Sequence, residues 1–208
     1  MGSGEAPEPP PVDFLGGRFG WRWRRGGGLG QALARAVGLR PGRPRPEVVD
    51  ATAGLGRDAF LLAVLGCRVV ALERCAALHA ALVAALDRAL ADPEAAAALG
   101  GRLRFLHADA RAWLAALAPG ERPQVVLVDP MHPPRGKSAL VRREMRLLRA
   151  LVGDDPDAAE LLAAARAAAT ARVVVKRPRH APPLAPSPNH AVRGRSTRFD
   201  VYLTGSGG

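Results

Sequence analysis

Short, continuous apolar runs alternate along this chain with longer stretches in which apolar residues recur every three or four positions. Five runs of four or five residues, at 47–51, 68–72, 103–107, 124–128 and 172–175, are rich in Val and Leu and too short for helices. They predict buried strands. The stretches between them predict helices at 57–65, 76–90, from Asp92-Pro93 to Gly100-Gly101, at 110–117, from Gly136 to Gly153, and at 157–169. In the Gly136–Gly153 helix, Val141, Met145, Leu148 and Val152 repeat as one core stripe. Near the end, Phe199-Asp200-Val201-Tyr202-Leu203 alternates as a strand, with Ala191-Val192 available to pair with it. This order specifies an α/β fold with a mostly parallel sheet, helices on both faces and a C-terminal antiparallel strand.

The N-terminal part follows another pattern. Residues 1–13 are rich in Pro, Gly and Glu and predict a disordered tail. Residues 14–45 form a basic element in which Phe19, Trp21 and Trp23 alternate with Arg18, Arg22, Arg24 and Arg25, the pattern of a short strand with one aromatic face. A helix at 29–37 follows, ended by Gly38. The main domain is then 46–204, and 205–208 is a tail.

The first buried run ends in Asp50-Ala51-Thr52-Ala53-Gly54-Leu55-Gly56-Arg57-Asp58 and leads into an apolar helix. Strand, tight Gly turn and helix direct free backbone N–H groups toward the crevice outside the strand ends. Gly54-x-Gly56-x-x-Ala59 satisfies a dinucleotide fingerprint, with Glu73 as the ribose acid. Asp50, four residues before Gly54, is awkward beside a pyrophosphate. It suits S-adenosylmethionine (SAM), which carries an ammonium and a sulfonium and no phosphate. Glu73, at the end of the second strand, is placed to accept both ribose hydroxyls. Asp109, after the third strand, is placed either to meet the adenine amino group or to cap the helix that follows.

The fourth strand delivers Asp129-Pro130-Met131-His132-Pro133-Pro134 to the same crevice. An exocyclic base amine is a poor nucleophile because its lone pair is delocalised into the ring. The Asp129 carboxylate, with backbone carbonyls fixed by Pro130, can accept its N–H hydrogens and stabilise the positive charge that develops as nitrogen attacks a methyl carbon. His132 stands where a side chain would hold the base flat.

The net charge is +11, and its placement narrows the partner. Residues 46–134 hold eight basic and ten acidic residues. The flanks are basic: Arg18–Arg45 has eight arginines and no acid, Arg135–Arg149 six basic residues and one acid, and Arg172–Arg198 seven basic residues and no acid. A folded enzyme with basic flanks points to nucleic acid. The candidate RNA contacts are Arg22 and Arg24, Lys137, Arg142, Arg143 and Arg146, and Lys176 and Arg177. No apolar run reaches 18 residues, so no membrane partner is expected. Cys67 and Cys75 match no metal spacing; no metal is expected, and both read as reduced thiols of a cytoplasmic protein.

Taken together, residues 50–58, Leu72-Glu73-Arg74, Asp129-Pro130-Met131, the stretch from Lys137 to Arg146, Val173 to Pro178 and Arg198 to Tyr202 resemble the RsmJ family of bacterial small-subunit rRNA guanine-N2 methyltransferases. The resemblance runs from about Val12 to Leu203. It implies a Rossmann-like class I methyltransferase fold and methylation of the exocyclic N2 of one guanosine near the 3′ end of 16S rRNA, free or within the small ribosomal subunit. It also implies SAM contacts at Arg57 and Asp58, Glu73 and Arg74, Asp109 and Ala110, and Asp129. Three features depart from the family. The segment before Val12 is short, so a small N-terminal subdomain is expected to be reduced. Asp109-Ala110 stands where the family usually has Ser-Ser. His132 stands where it has an aromatic residue. A dinucleotide-dependent oxidoreductase, or a non-catalytic RNA-binding protein with the same fold, are the alternatives.

Overall fold

The computed structural model describes residues 8–131, 147–149, 151 and 156–205. Seven strands form one sheet: β1 (Glu47–Asp50), β2 (Arg68–Glu73), β3 (Leu103–His107), β4 (Val125–Val128), β5 (Arg172–Pro178), β6 (His190–Arg193) and β7 (Thr197–Leu203). Their order is β3-β2-β1-β4-β5-β7-β6. The first five are parallel, with Asp50 level with Ala71 and Leu127, and Val128 level with Val175. β7 lies antiparallel to both β5 and β6. The chain steps outward from β1 through β2 to β3, then returns to β4 on β1's other side. That reversal opens a crevice at the carboxyl ends of β1 and β4.

Each apolar run serves two cores, because side chains on a strand alternate between faces. Val48, Val125, Leu127 and Val174 pack into one cluster. Their neighbours Val49, Val126, Val128, Val173 and Val175 pack into the other. The first cluster is covered by α1 (Gly17–Arg25), α2 (Ala32–Val37), α3 (Arg57–Val64), α4 (Ala76–Leu90) and α5 (Pro93–Leu99). The second is covered by α6 (Ala110–Ala115) and α7 (Ala158–Ala168). Buried on both faces, these strands can be apolar throughout.

The N-terminal element differs from the alternating strand its sequence suggests. Gly17–Arg25 is helical, which puts Phe19 and Trp23, four residues apart, on one buried face and leaves Trp21 63% exposed. A period of four satisfies the aromatic residues better than a period of two, because Phe19 and Trp23 then both pack on Phe60 of α3, with ring centroids 5.7 and 5.8 Å away. The Trp23 Nε1–H donates to the Phe14 carbonyl at 2.7 Å, satisfying its buried donor. The expected 29–37 helix is a 3₁₀ turn at Gly28–Gly30 followed by α2. Val12, expected in the tail, is buried, and its carbonyl accepts a 2.9 Å bond from Arg88. Val12, Phe14, Phe19 and Trp23 belong to the same cluster as α3, so the N-terminal element shares the main core.

The expected Gly136–Gly153 helix falls mostly outside the described residues. Within them, 147–149 is helical and Leu148 of its stripe is buried. His132, Lys137, Arg142, Arg143 and Arg146 also lie outside the described residues.

Candidate active site

An open cleft lies at the carboxyl ends of β1 to β4. Ala51, Thr52 and Gly54 from the turn after β1 form its floor, and Glu73 and Arg74 close the β2 side. Asp109, Ala110 and Arg111 come from the start of α6, and Asp129 and Met131 from the end of β4. Leu72, Leu148 and Leu161 supply apolar surface.

The two glycines of the turn do different work. Both are left-handed, Gly54 at φ 52° and Gly56 at φ 69°. A Cβ on Gly54 would meet nothing closer than 3.8 Å, so its backbone stands open to the cleft. A Cβ on Gly56 would come within 2.8 Å of both Leu82 and Phe105 and 3.0 Å of Phe14. Gly56 is therefore required by core packing and lies away from the cleft lining.

Glu73 is 6% exposed. Its carboxylate accepts from the Gly54 N–H at 3.1 Å and the Cys75 N–H at 2.9 Å, one on each oxygen. Burial raises its pKa, and backbone hydrogen bonds from Cys75, Gly54 and Arg74 oppose that rise. Asp109 caps α6, accepting from Arg111 N at 2.9 Å. It also pairs with the Arg111 guanidinium at 2.9 Å, and that side-chain bond holds its pKa down at about 2. Capping and cleft lining are thus combined in one residue. Arg111 reaches on to Asp157 at 3.1 Å, and Asp157 pairs with Arg74 at 2.9 Å, joining the two rims. Arg111 and Asp157 carry no motif; their place follows from the contact between α6 and α7.

On the β4 side the charges are gathered closely. The Lys176 ammonium lies 2.7 Å from Asp129 and 2.7 Å from Asp58. Burial alone would lower the Lys176 pKa; the two carboxylates outweigh it and raise it. Burial alone would raise that of Asp58, and Lys176 outweighs it in turn. The Asp129 backbone N–H donates to Thr52 Oγ1 at 2.6 Å, fixing the strand end against the turn. Asp50 is 2% exposed, accepts from Thr52 N at 3.1 Å, and lies behind the lining residues. Burial, with Asp58 and Asp129 adding repulsion, pushes its pKa up to about 7.

Of the expected cofactor residues, Gly54, Glu73, Arg74, Asp109, Ala110 and Asp129 line the cleft together. Asp50, Gly56, Arg57 and Asp58 stand behind or beside it. Pro130, between the lining residues Asp129 and Met131, is buried. Three expected RNA contacts have partners within the protein. Lys176 is held between two carboxylates. Arg177 is 7% exposed and donates to the Pro182 carbonyl at 2.9 and 3.1 Å. Arg24 donates to Glu94 at 2.8 Å and to the Leu15 carbonyl at 2.8 Å, and lies over the Trp23 ring. Arg22 is half-exposed, donates to Gln31 and lies 4.0 Å from Asp58.

The donor set fits SAM: a strand-end carboxylate, Glu73, held by backbone N–H groups, an open glycine backbone in place of a phosphate loop, and apolar surface for a base. No group of three His, Cys, Asp or Glu residues suited to a metal occurs among the described residues.

A family model described as "Putative SAM-dependent methyltransferase" matches residues 5–204. Among curated relatives, ribosomal RNA small subunit methyltransferase J of Thioalkalivibrio sulfidiphilus is 52% identical over 97% of this chain and 78% of its own length. The protein of that name from Rhodopseudomonas palustris is 52% identical, covering 93% of this chain and 94% of its own. A crystal structure of a SAM-dependent methyltransferase from Neisseria gonorrhoeae is 39% identical and superposes with a TM-score of 0.72, covering 93% of this chain and 74% of that one.

Proposed function

The chain belongs to the SAM-dependent methyltransferase family that includes ribosomal RNA small subunit methyltransferase J, and on that premise we propose that it methylates the exocyclic N2 of a guanosine near the 3′ end of 16S rRNA. It is a class I methyltransferase, and SAM is its cofactor. The observation that carries the proposal is Asp129, at the end of β4 on the lip of the cleft, held by the Lys176 ammonium and by the Thr52 hydroxyl.

SAM supplies a methyl group on a sulfonium, already a good leaving group. The protein's work is therefore to position and to stabilise charge. Glu73 holds the ribose hydroxyls. Gly54 lets the ligand lie against the backbone. Asp109 and Ala110 bound the adenine side. Asp129 accepts the amine hydrogens and orients the nitrogen lone pair toward the methyl. Lys176 fixes Asp129 in direction through its 2.7 Å bond. His132 and Pro130 frame the base. The arginines of the 135–149 segment, with Arg22, hold phosphates.

Small-subunit rRNA, named in the relatives, is the substrate class this reading takes. We place the enzyme in the cytoplasm, where such rRNA is assembled; no described helix is long and apolar enough to cross a membrane. Membership of this family does not favour the dinucleotide and non-catalytic alternatives. The test is transfer of a labelled methyl group from SAM to 16S rRNA lacking its native modifications, followed by mapping of the labelled nucleotide. Label on a guanine N2 near the 3′ end supports the reading; absence of transfer, or label elsewhere, rejects it.

A further inference from the structure

We propose that the outer face of α1 is a base-stacking platform for an unpaired stretch of the substrate RNA beside the target guanosine, with Trp21 as the stacking residue and Arg18, Arg22 and Arg25 as its phosphate contacts. The proposal rests on the rRNA reading above and adds the surface that receives the strand.

Helical spacing makes the face. Residues 18, 21, 22 and 25 differ by three or four, so their side chains share one side of α1, opposite buried Phe19 and Trp23. Trp21 is 63% exposed, the most exposed of the large hydrophobic residues described. An indole held in water loses the burial free energy that Trp23 gains, and nothing in the core requires it there. Arg18 and Arg25 are exposed and make no hydrogen bond or ion pair among the described residues. Nine residues of α1 contain no acid. An aromatic plane flanked by guanidinium groups, two of them, Arg18 and Arg25, exposed, is the chemistry of single-stranded nucleic-acid binding: the ring takes a base face, and the arginines take the backbone.

The face also has an address. Arg22 lies 4.0 Å from Asp58, Asp58 binds Lys176, and Lys176 binds Asp129. A strand stacked on Trp21 therefore runs along the rim that leads to the transfer site. Charge complementarity favours RNA over an apolar protein partner or a second copy of this chain, since three arginines on one face would repel their own copies.

The experiment measures binding of a 16S rRNA 3′-terminal transcript to the full chain as a function of salt, with tryptophan fluorescence as a second readout. Trp21→Ala should weaken binding roughly 5- to 100-fold, the range for one stacked base, with the slope of log K against log salt unchanged. Trp21→Phe should recover part of the loss. The Arg18→Ala, Arg25→Ala double variant should lower that slope by about 1.4, two contacts at roughly 0.7 each for a single strand. RNA should quench the fluorescence of the native protein and not of Trp21→Ala. Calorimetric SAM binding should stay at the native value in every variant, because none of these residues lines the cleft. If the native protein methylates the rRNA while these variants bind with native affinity and native slope, the platform is wrong and the rRNA reading stands. If the native protein neither binds the transcript nor methylates it, both fail.

Discussion

At the ends of β2 and β3, Glu73 and Asp109 are satisfied by backbone N–H groups: Glu73 by Gly54 and Cys75, Asp109 by the first turn of α6. On the other side, Lys176 of β5 pairs with Asp129, at the end of β4, and with Asp58, in the first turn of α3, while Asp50 is buried at the end of β1. The first side has its acids held by main-chain N–H groups, with the Arg111 guanidinium added on Asp109. The second side has its charges fixed by side-chain ion pairs, Lys176 between Asp58 and Asp129 and Arg22 4.0 Å from Asp58, with Asp50 buried behind them. Holding the cofactor and promoting transfer are thereby divided between two sides of one cleft.

Removing the ammonium should break the second side most severely. Lys176→Met removes the cation between Asp58 and Asp129, and should cost about 3 kcal/mol in urea unfolding at neutral pH. The loss should shrink toward pH 5, because carboxylates stripped of their partner take up protons as pH falls. A pH-independent loss would mean that Lys176 contributes packing alone.

The first side should respond in affinity. Glu73→Gln keeps the size of the side chain and removes its charge, and should weaken SAM by about 1.5–3 kcal/mol in calorimetric titration. Unchanged affinity in a folded variant would remove Glu73 from the ribose.

The pH dependence of SAM binding separates the sides further. Asp50, with its pKa near 7, is largely protonated below neutrality. A cation in the cleft favours its ionised form, so SAM binding should release a proton and strengthen by about tenfold between pH 6 and pH 8. For stability the sign is opposite. The unfolded chain ionises Asp50 near pH 4 and the folded chain near 7, so this contribution to stability falls as pH rises across that window. Asp50→Asn should flatten both profiles. The smallest effect belongs to Asp109→Ala, which should cost about 1 kcal/mol of stability as a lost helix cap. A far larger loss of SAM affinity in that variant would give Asp109 a main role on the adenine side.

The strand ends were readable from sequence because apolar runs stop abruptly at Asp50, Glu73 and Asp129, and parallel strands bring such ends to one edge. The sheet and its antiparallel C-terminal addition followed from the same periodicity. Lys176 was not readable as a partner of Asp58: they are 118 residues apart, and a lysine in a basic segment looks like a phosphate contact until β5 is set beside β4. Gly54 and Gly56 look equivalent in the motif, and only the approach of Phe14, Leu82 and Phe105 assigns one to the cleft and the other to the core. In α1, aromatic residues at alternate positions fit a strand locally; burial against Phe60 selected the helix.

The division of labour in the cleft is tested most directly by single-turnover methylation of unmodified 16S rRNA at saturating SAM and saturating RNA, with Asp129→Asn and Glu73→Gln measured side by side. Saturation removes differences in binding and leaves the transfer step. Asp129→Asn loses the negative charge that stabilises the amine as it becomes cationic, and its rate should fall on the order of 10²- to 10³-fold. Glu73→Gln should run within a few-fold of the native rate. Native-rate transfer by Asp129→Asn, or an equal fall in both variants, would contradict the account.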